Sequence, residues 1–360
     1  MAGRIYNFGP GPAAIPEVVM DEVREALGDC GGTGLPITEL SHRDPAFEAI
    51  AESAEQRVRR ILGVTEAYAV LFLAGGATFQ FAQAPMNLAS NGRAGAYLVH
   101  GHWGRKAHAE AQRLGLGCLV ASSEASGFDR IPPSRDWQLP ATAAYLHLVS
   151  NETISGVQFH EWPQAEWPLV VDMSSDLFTR PLDVSDFGVV YASAQKNFGT
   201  AGLSLVLVRR DLLERCPEDL PGALSWRVQD QHASRYSTPP IFAWFLAERV
   251  LAWLEARGGL AAMSEEGAAK AALLYACIDA SELYQNPIDA AQRSRVNVPF
   301  TLREPRLEAP FLNAAAEAGI RGIRGHKSVG GMRASIYNAM PEDGVRRLVT
   351  FMQDFEHRVA

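Results

Sequence analysis

The chain has 360 residues, of which 47% are hydrophobic and 21% charged, with a formal net charge of −8 at pH 7; this length favours two unequal domains, and the acidic balance argues against a nucleic-acid partner. Its four cysteines are scattered without a CxxC pair, which argues against a zinc site and predicts free thiols in a reducing compartment. Since no apolar run is long enough to span a membrane and the start has no signal-peptide core, we expect a cytoplasmic protein without a membrane partner.

The N-terminal segment contains the run Gly9-Pro10-Gly11-Pro12, which predicts an irregular arm. Such an arm is either a disordered terminus or a strap over a site, and the residues alone favour the terminus. Helices are predicted from Pro16 to Leu27 and from Phe47 to Leu62, the second with a charged face opposite an apolar one. The loop between them carries His42 and Arg43, which could simply stabilise the loop.

The first predicted strand, residues 69–73, is followed by Gly75-Gly76-Ala77-Thr78 and a helix that ends at Leu88. Free N–H groups at such a turn and the helix dipole both favour an anion, so the turn is a candidate phosphate cradle. It matches neither the Walker loop nor the GxGxxG fingerprint.

Trp103 stands between a second predicted strand, residues 94–99, and a helix from Arg105 to Leu114. Its indole either packs in the core or lies flat on a planar ring. The neighbouring His102 is interpreted as a surface residue.

Further predicted strands also end in polar side chains. One leads into Thr153, the next ends at Asp172, and residues 189–192 lead into Lys196, with a last strand at 204–208. In a doubly wound sheet such strand ends converge at one edge. Lysine is rare in this chain, and an amine, unlike a guanidinium, can lose its proton and attack a carbonyl. A solvated loop lysine is the alternative, and position alone does not decide.

A helix at residues 242–255 followed by Gly258-Gly259 predicts the exit from a large domain. Beyond it helices (262–275, 307–318) alternate with strands (296–300, 332–337). We therefore predict an α/β fold in three parts: an N-terminal arm at residues 1–15, a large domain at 16–258 with a mostly parallel sheet flanked by helices, and a smaller C-terminal α/β domain at 259–360.

Several stretches match one protein family. They are Asn7-Phe8 with Gly11-Pro12-Ala13, Ser41-His42-Arg43, Asn151-Glu152-Thr153, Ala194-Gln195-Lys196-Asn197, Thr238-Pro239-Pro240 and residues 330–340. Over nearly its full length the chain resembles the phosphoserine aminotransferases, class-V enzymes of fold type I that depend on pyridoxal phosphate. The resemblance implies reversible amino transfer from L-glutamate to 3-phosphohydroxypyruvate, giving O-phospho-L-serine and 2-oxoglutarate in serine biosynthesis. 4-Phosphohydroxy-L-threonine, in pyridoxine biosynthesis, is a second substrate of bacterial relatives and stays open.

The resemblance also implies roles for the cofactor-binding residues. Lys196 would hold pyridoxal phosphate as a Schiff base and move the substrate proton, and Asp172 would keep the pyridine nitrogen protonated so that the ring accepts electrons. Trp103 would stack on the ring and Thr153 would hydrogen-bond its phenolic oxygen. The phosphate would be bound by the remaining residues: Ala77, Thr78 and Gln195, together with Ser237 and Thr238 from a second subunit.

For the substrate, the resemblance implies that Arg333 clamps the α-carboxylate with its planar guanidinium. His42 and Arg43, together with His326 and Lys327 from the partner subunit, would bind the distal anion, either the phosphate or the glutamate γ-carboxylate. We therefore expect a homodimer with shared active sites that acts on small molecules and uses no metal.

Some residues depart from the family pattern: Pro10 stands where many relatives have serine, Ser237 where asparagine is frequent, and Lys327 where arginine is usual. The last change keeps the charge but loses bidentate recognition. Other fold-type-I enzymes stay open as alternatives, namely an alanine–glyoxylate aminotransferase or a cysteine desulfurase, although no cysteine lies in the glycine-rich loop that a desulfurase needs. The non-enzymatic alternative is a phosphate-binding α/β module with an inert lysine.

Overall fold

The computed structural model describes residues 5–89 and 92–359, so residues 1–4 of the predicted arm and the last residue of the predicted small domain lie outside the described residues. The described α-helices are α1 (Glu17–Ala26), α2 (Pro45–Leu62), α3 (Ala77–Leu88), α4 (His102–Arg113), α5 (Arg210–Leu213), α6 (Trp226–Gln231), α7 (Ile241–Ala256), α8 (Gly259–Asp279), α9 (Glu308–Glu317) and α10 (Glu342–Val359). The described β-strands are β1 (Tyr6–Asn7), β2 (Tyr68–Ala74), β3 (Gly95–Val99), β4 (Gly117–Ser122), β5 (Tyr145–Val149), β6 (Asn151–Glu152), β7 (Val157–Gln158), β8 (Leu169–Asp172), β9 (Val189–Ser193), β10 (Leu203–Arg209), β11 (Tyr284–Gln285), β12 (Asn297–Leu302), β13 (Ile320–Arg321) and β14 (Met332–Ser335).

The central sheet has 7 strands in the order β2-β10-β9-β8-β5-β3-β4. Neighbouring strands are parallel except where β10 pairs with β2 and β9. Successive side chains point to opposite faces, so Val171 packs in the apolar cluster with α2 and α7, whereas Val170 packs with α3 and α4. The predicted α/β fold, with a mostly parallel sheet flanked by helices, is confirmed.

The strand directions decide where the loops lie. Strands β3, β5, β8 and β9 are mutually parallel, and β2 runs the same way because both β2 and β9 are antiparallel to β10. The carboxyl ends of these strands therefore share one edge of the sheet, which is where open α/β sheets bind ligands.

A separate apolar cluster draws most of its residues from α8 to α10 and from the small sheet β11-β12-β14. Helix α8 contributes to both apolar clusters: Met263 packs in a cluster of the central sheet, and Leu274 packs in the separate cluster. The domain division at Gly258–Gly259 stays a prediction. Among the elements without a counterpart in the sequence predictions are β4 and α10.

The N-terminal arm is a strap, so the interpretation of its described part as a disordered terminus is wrong. Strand β1 pairs with β13 in parallel, and Phe8 is buried in the separate cluster. Further along, the Tyr337 hydroxyl donates to the Pro10 carbonyl at 2.7 Å, and the Ala13 N–H donates to the Gln195 carbonyl at 2.9 Å. The arm thus runs from the separate cluster to the loop that carries Lys196.

Within residues 5–89 and 92–359, none of the helices has the length and apolar character needed to cross a membrane. The cysteines Cys30, Cys118, Cys216 and Cys277 are free thiols. The same described ranges contain no group of metal-ligating side chains that could hold an ion.

Candidate active site

A cavity of about 290 Å³ lies at the edge of the sheet where the strands end. Its walls come from the loops after β2, β3, β5, β8 and β9, from the arm, and from β14 with the loop before it. The structure brings together there the predicted residues Ala77, Thr78, Trp103, Thr153, Asp172, Gln195, Lys196, His326 and Arg333.

Lys196 lies on the turn that joins β9 to the antiparallel strand β10. Burial lowers the pKa of its amine below the ordinary value of 10.5, while the charge of Asp172 opposes that shift. An amine with a lowered pKa is deprotonated more readily and is therefore a better nucleophile and base. The solvated-loop alternative for Lys196 does not fit this position.

Asp172 ends the central strand β8 and is only 3% exposed. One carboxylate oxygen accepts a hydrogen bond of 2.8 Å from the Ser174 N–H. Burial raises the pKa of Asp172, and Ser174 and Lys196 oppose the rise. A carboxylate buried in this way gains most from a cationic partner in the cavity.

Trp103 lies in the first turn of α4, which begins three residues earlier than the predicted start at Arg105. Its indole Nε1–H donates to the Thr153 hydroxyl at 3.0 Å. The amine of Lys196 lies 5.4 Å from the centre of the indole ring. The ring therefore borders the cavity beside the lysine, and the interpretation of Trp103 as a core residue is not supported.

The turn that is predicted to bind a phosphate lies at the start of α3, with hydroxyl groups around it that the sequence did not reveal. The Ala77 N–H donates to the Ser193 hydroxyl at 2.7 Å, and the Ser193 N–H donates to the Ser174 hydroxyl at 3.0 Å. The Thr78 hydroxyl accepts from the amine of Lys106 at 3.3 Å. A phosphate at this turn would compete with Ser193 for the Ala77 N–H.

Arg333 on β14 is 5% exposed and lines the cavity. Its Nη1 donates to the Thr153 carbonyl at 3.0 Å, whereas its buried Nε has no hydrogen-bond partner. Burial lowers the pKa of this guanidinium. A buried donor without a partner costs free energy, and the carboxylate of a substrate would satisfy it.

His326 lines the cavity of its own chain, which corrects its assignment to the partner subunit. The reason is a tight loop closed by a hydrogen bond from the Gly325 N–H to the Gly331 carbonyl. This loop keeps His326 near β14, and His326 lines the cavity together with Arg333. A side chain at Gly325 would lie 1.9 Å from the Gly330 carbonyl oxygen, so only glycine fits. The other predicted site residues do not line this cavity: His42, Arg43, Ser237, Thr238 and Lys327.

These residues fit pyridoxal phosphate. An amine, an acid, an indole and an arginine line one cavity. The start of α3 lines the same cavity together with the hydroxyl groups of Ser193 and Thr78. The buried side-chain oxygen of Gln195 has no partner, like the Arg333 Nε. The Arg333 Nε–H is a donor that an oxyanion of a bound ligand could satisfy, whereas the Gln195 oxygen needs a donor, which a phosphate does not supply.

Comparison with known proteins gives one family. The model of the class-V aminotransferases matches residues 5–348. A phosphoserine aminotransferase of Nitrosomonas europaea is 46% identical over 362 residues, which cover 98% of this chain and 98% of that protein.

Solved structures agree. The phosphoserine aminotransferase of Bacillus circulans subsp. alkalophilus superposes with a TM-score of 0.96 at 42% identity, covering 99% of each chain. The structure of a phosphoserine aminotransferase from Trichomonas vaginalis with bound pyridoxal phosphate has a TM-score of 0.94 at 36% identity, covering 97% of this chain and 100% of the other.

Proposed function

The chain belongs to the class-V aminotransferase family and is a transaminase that depends on pyridoxal phosphate, and from this premise we propose that it exchanges an amino group between L-glutamate and 3-phosphohydroxypyruvate, giving 2-oxoglutarate and O-phospho-L-serine. The observation that carries the proposal is the single cavity in which Lys196, Asp172 and Arg333 meet. The relatives named above carry this activity in their names. The reaction would serve serine biosynthesis.

In the proposed reaction the cofactor accepts electrons, and residues of the chain bind the cofactor and move the proton. When bound, pyridoxal phosphate accepts the electron pair released as the Cα–H bond of the amino acid breaks. Lys196 would hold the cofactor covalently, and its Nζ would move the proton between the substrate Cα and C4′ of the cofactor; its lowered pKa suits this task. Asp172 keeps a cation at the pyridine nitrogen, because a buried carboxylate favours a positive partner.

The remaining cavity residues orient the ligands. Trp103 would stack on the cofactor ring, and Thr153, whose hydroxyl accepts from the indole N–H, would donate its proton to the phenolic oxygen. Thr78 and Gln195, with the start of α3, bind the phosphate. Arg333 clamps the substrate α-carboxylate, since its unpartnered Nε–H and planar guanidinium suit an oxyanion.

A homodimer with shared active sites completes the proposal. His42 is half-buried, whereas Arg43, Ser237, Thr238 and Lys327 are exposed, and none of them lines the cavity of its own chain. We assign Ser237 and Thr238 to the phosphate of the neighbouring subunit. His42, Arg43 and Lys327 would act with His326 on the distal anion of the substrate. An active monomer in sedimentation at assay concentration would contradict this assignment.

A substrate comparison tests the function. The enzyme loaded with pyridoxal phosphate is given glutamate with 3-phosphohydroxypyruvate, and in a parallel reaction alanine with glyoxylate. We expect 2-oxoglutarate from the first pair and little pyruvate from the second. Turnover of the second pair alone would replace the proposal by an alanine–glyoxylate aminotransferase. A third reaction with 4-phosphohydroxy-L-threonine and 2-oxoglutarate tests the additional role in pyridoxine biosynthesis.

A further inference from the structure

Glu152 is a buried acid at the active site to which the chemistry above gives no task. It follows β5, its side chain is 0% exposed, and both of its carboxylate oxygens accept hydrogen bonds. The Trp103 N–H donates to one oxygen at 3.1 Å and the Gly104 N–H donates to the other at 2.8 Å. Both donors belong to the first turn of α4.

The carboxylate replaces a helix cap that the local sequence does not supply. The residue before α4 is Gly101, which has no side chain to accept from the free N–H groups of the first turn. A side chain there would also displace Glu152, because a Cβ on Gly101 would lie 2.0 Å from the carboxylate carbon. Glycine at this position therefore leaves the space that the carboxylate fills.

The next residue holds the same tryptophan from its other end. Thr153 accepts from the indole Nε1–H at 3.0 Å, so consecutive residues after β5 bind both the backbone and the ring of Trp103. The Thr153 carbonyl also accepts from Arg333 at 3.0 Å. The orientation of the indole relative to Lys196 is thus fixed by this short segment.

We propose that Glu152 is a positioning residue: by capping α4 with both carboxylate oxygens it fixes Trp103, and through Trp103 it strengthens cofactor binding. This inference rests on the proposed contact between the indole and the cofactor ring.

Burial of the Glu152 carboxylate is electrostatically unfavourable, which supports a role for this residue beyond stabilising the fold. Burial raises the pKa of this carboxyl to about 7, with Asp172 adding to the rise, whereas the N–H groups of Gly104 and Trp103 and the amine of Lys196 oppose it. Glu152 does not line the cavity itself but bonds Trp103, which does, and strongly shifted pKa values are more frequent at functional sites than elsewhere. The partial positive charge at the start of α4 favours the ionised form.

The test compares Glu152→Gln with the wild type at pH 8, where the carboxylate is mostly charged. Glutamine keeps the volume but turns one acceptor oxygen into an NH₂ group that faces a backbone N–H. Since loss of a buried hydrogen bond to a charged group has a large effect, we expect the dissociation constant for pyridoxal phosphate to rise about tenfold. The visible circular dichroism of the bound cofactor should change as the ring loses its fixed neighbour.

A matched control and a double-mutant cycle separate the possible routes. Glu124→Gln removes an exposed carboxylate that pairs with Arg105 of the same helix, and we expect it to leave both readouts unchanged. In a Trp103→Ala background, Glu152→Gln is expected to change cofactor affinity less than about twofold, because the route through the indole is gone. A persisting tenfold loss in that background would overturn the proposal.

A purely structural role gives a different result: Glu152→Gln would lower the melting temperature of the apoenzyme with cofactor affinity and circular dichroism unchanged, which would also overturn the proposal. If Glu152→Gln does not fold, Gly101→Ala replaces it, because the added Cβ would displace the Glu152 carboxylate. Gly101→Ala is then combined with Trp103→Ala in the same double-mutant cycle, and we expect the same tenfold loss of cofactor affinity. None of these measurements uses a keto acid, so they are independent of which substrate the enzyme prefers.

Discussion

Lys270 on α8 provides a quantitative prediction about stability. It is 2% exposed, and its amine donates to the Tyr337 and Met340 carbonyls, each at 2.9 Å. Burial lowers its pKa from the ordinary value of 10.5 to about 8, with Glu266 opposing the shift. These carbonyls lie between β14 and α10, so the lysine ties α8 to the loop that follows β14.

The sign of the pH effect follows from proton binding. Between pH 8 and 10.5 the unfolded chain holds the Lys270 proton more tightly than the folded protein does, so the free energy of unfolding rises with pH in this window. The stabilisation is complete above the unfolded pKa and is lost as pH falls through the folded pKa. Between pH 7 and pH 10 the contribution of Lys270 should increase by about 2.5 kcal/mol.

The assay is urea unfolding of the wild type and of Lys270→Met from pH 7 to pH 10. Groups common to both proteins cancel, so the difference between their free energies of unfolding isolates Lys270. Lys327→Met, at an exposed position, controls for the general effect of removing a lysine. If the difference between the wild type and Lys270→Met does not change with pH, the lowered pKa and the reasoning from burial are wrong.

Further predictions concern the active site. Borohydride reduction of the cofactor-loaded enzyme followed by peptide mapping is expected to label Lys196, and a label on any other lysine would remove it from the catalytic role. Asp172→Asn should keep the cofactor bound yet slow amino transfer by orders of magnitude in stopped-flow measurements, because the pyridine nitrogen loses its counter-ion; near-normal turnover would contradict this. Arg43→Ala should lower kcat/KM roughly tenfold to a hundredfold, more for phosphoserine than for alanine, and equal losses for both would mean that Arg43 is structural.

The parts of the site that could be predicted are those with a pattern in the sequence. Asp172 and Lys196 follow buried β-branched runs, so their place at strand ends was readable from local sequence. Arg333 carries no such signal, and only the family resemblance identified it. Ser174 and Ser193 are short hydroxyl residues whose role depends on β8 and β9 being neighbours. The pairing of β8 with β9 is a tertiary contact, which the local sequence around either serine does not indicate.

The missed elements have different causes. Strand β4 lies at the edge of the sheet, and its only apolar run is the short stretch Cys118-Leu119-Val120-Ala121, which is a weak signal for a strand. Helix α10 did carry a signal, since Pro341 precedes Glu342 and Asp343 at its start and apolar residues recur at helical spacing. The strap does not follow from local sequence because the contacts that hold it on the protein are with distant parts of the chain.

The pairing of β1 with β13 has a consequence for the order in which the site forms during synthesis. Tyr6 and Asn7 are synthesised before their partners Ile320 and Arg321, and the whole central sheet lies between them in the chain. The central sheet can fold as it emerges, whereas β1 at the start of the arm has no partner strand until β13 has been synthesised. Since Pro10 and Gly11 form part of the cavity wall, this part of the wall is held from both sides only after β13 has been synthesised.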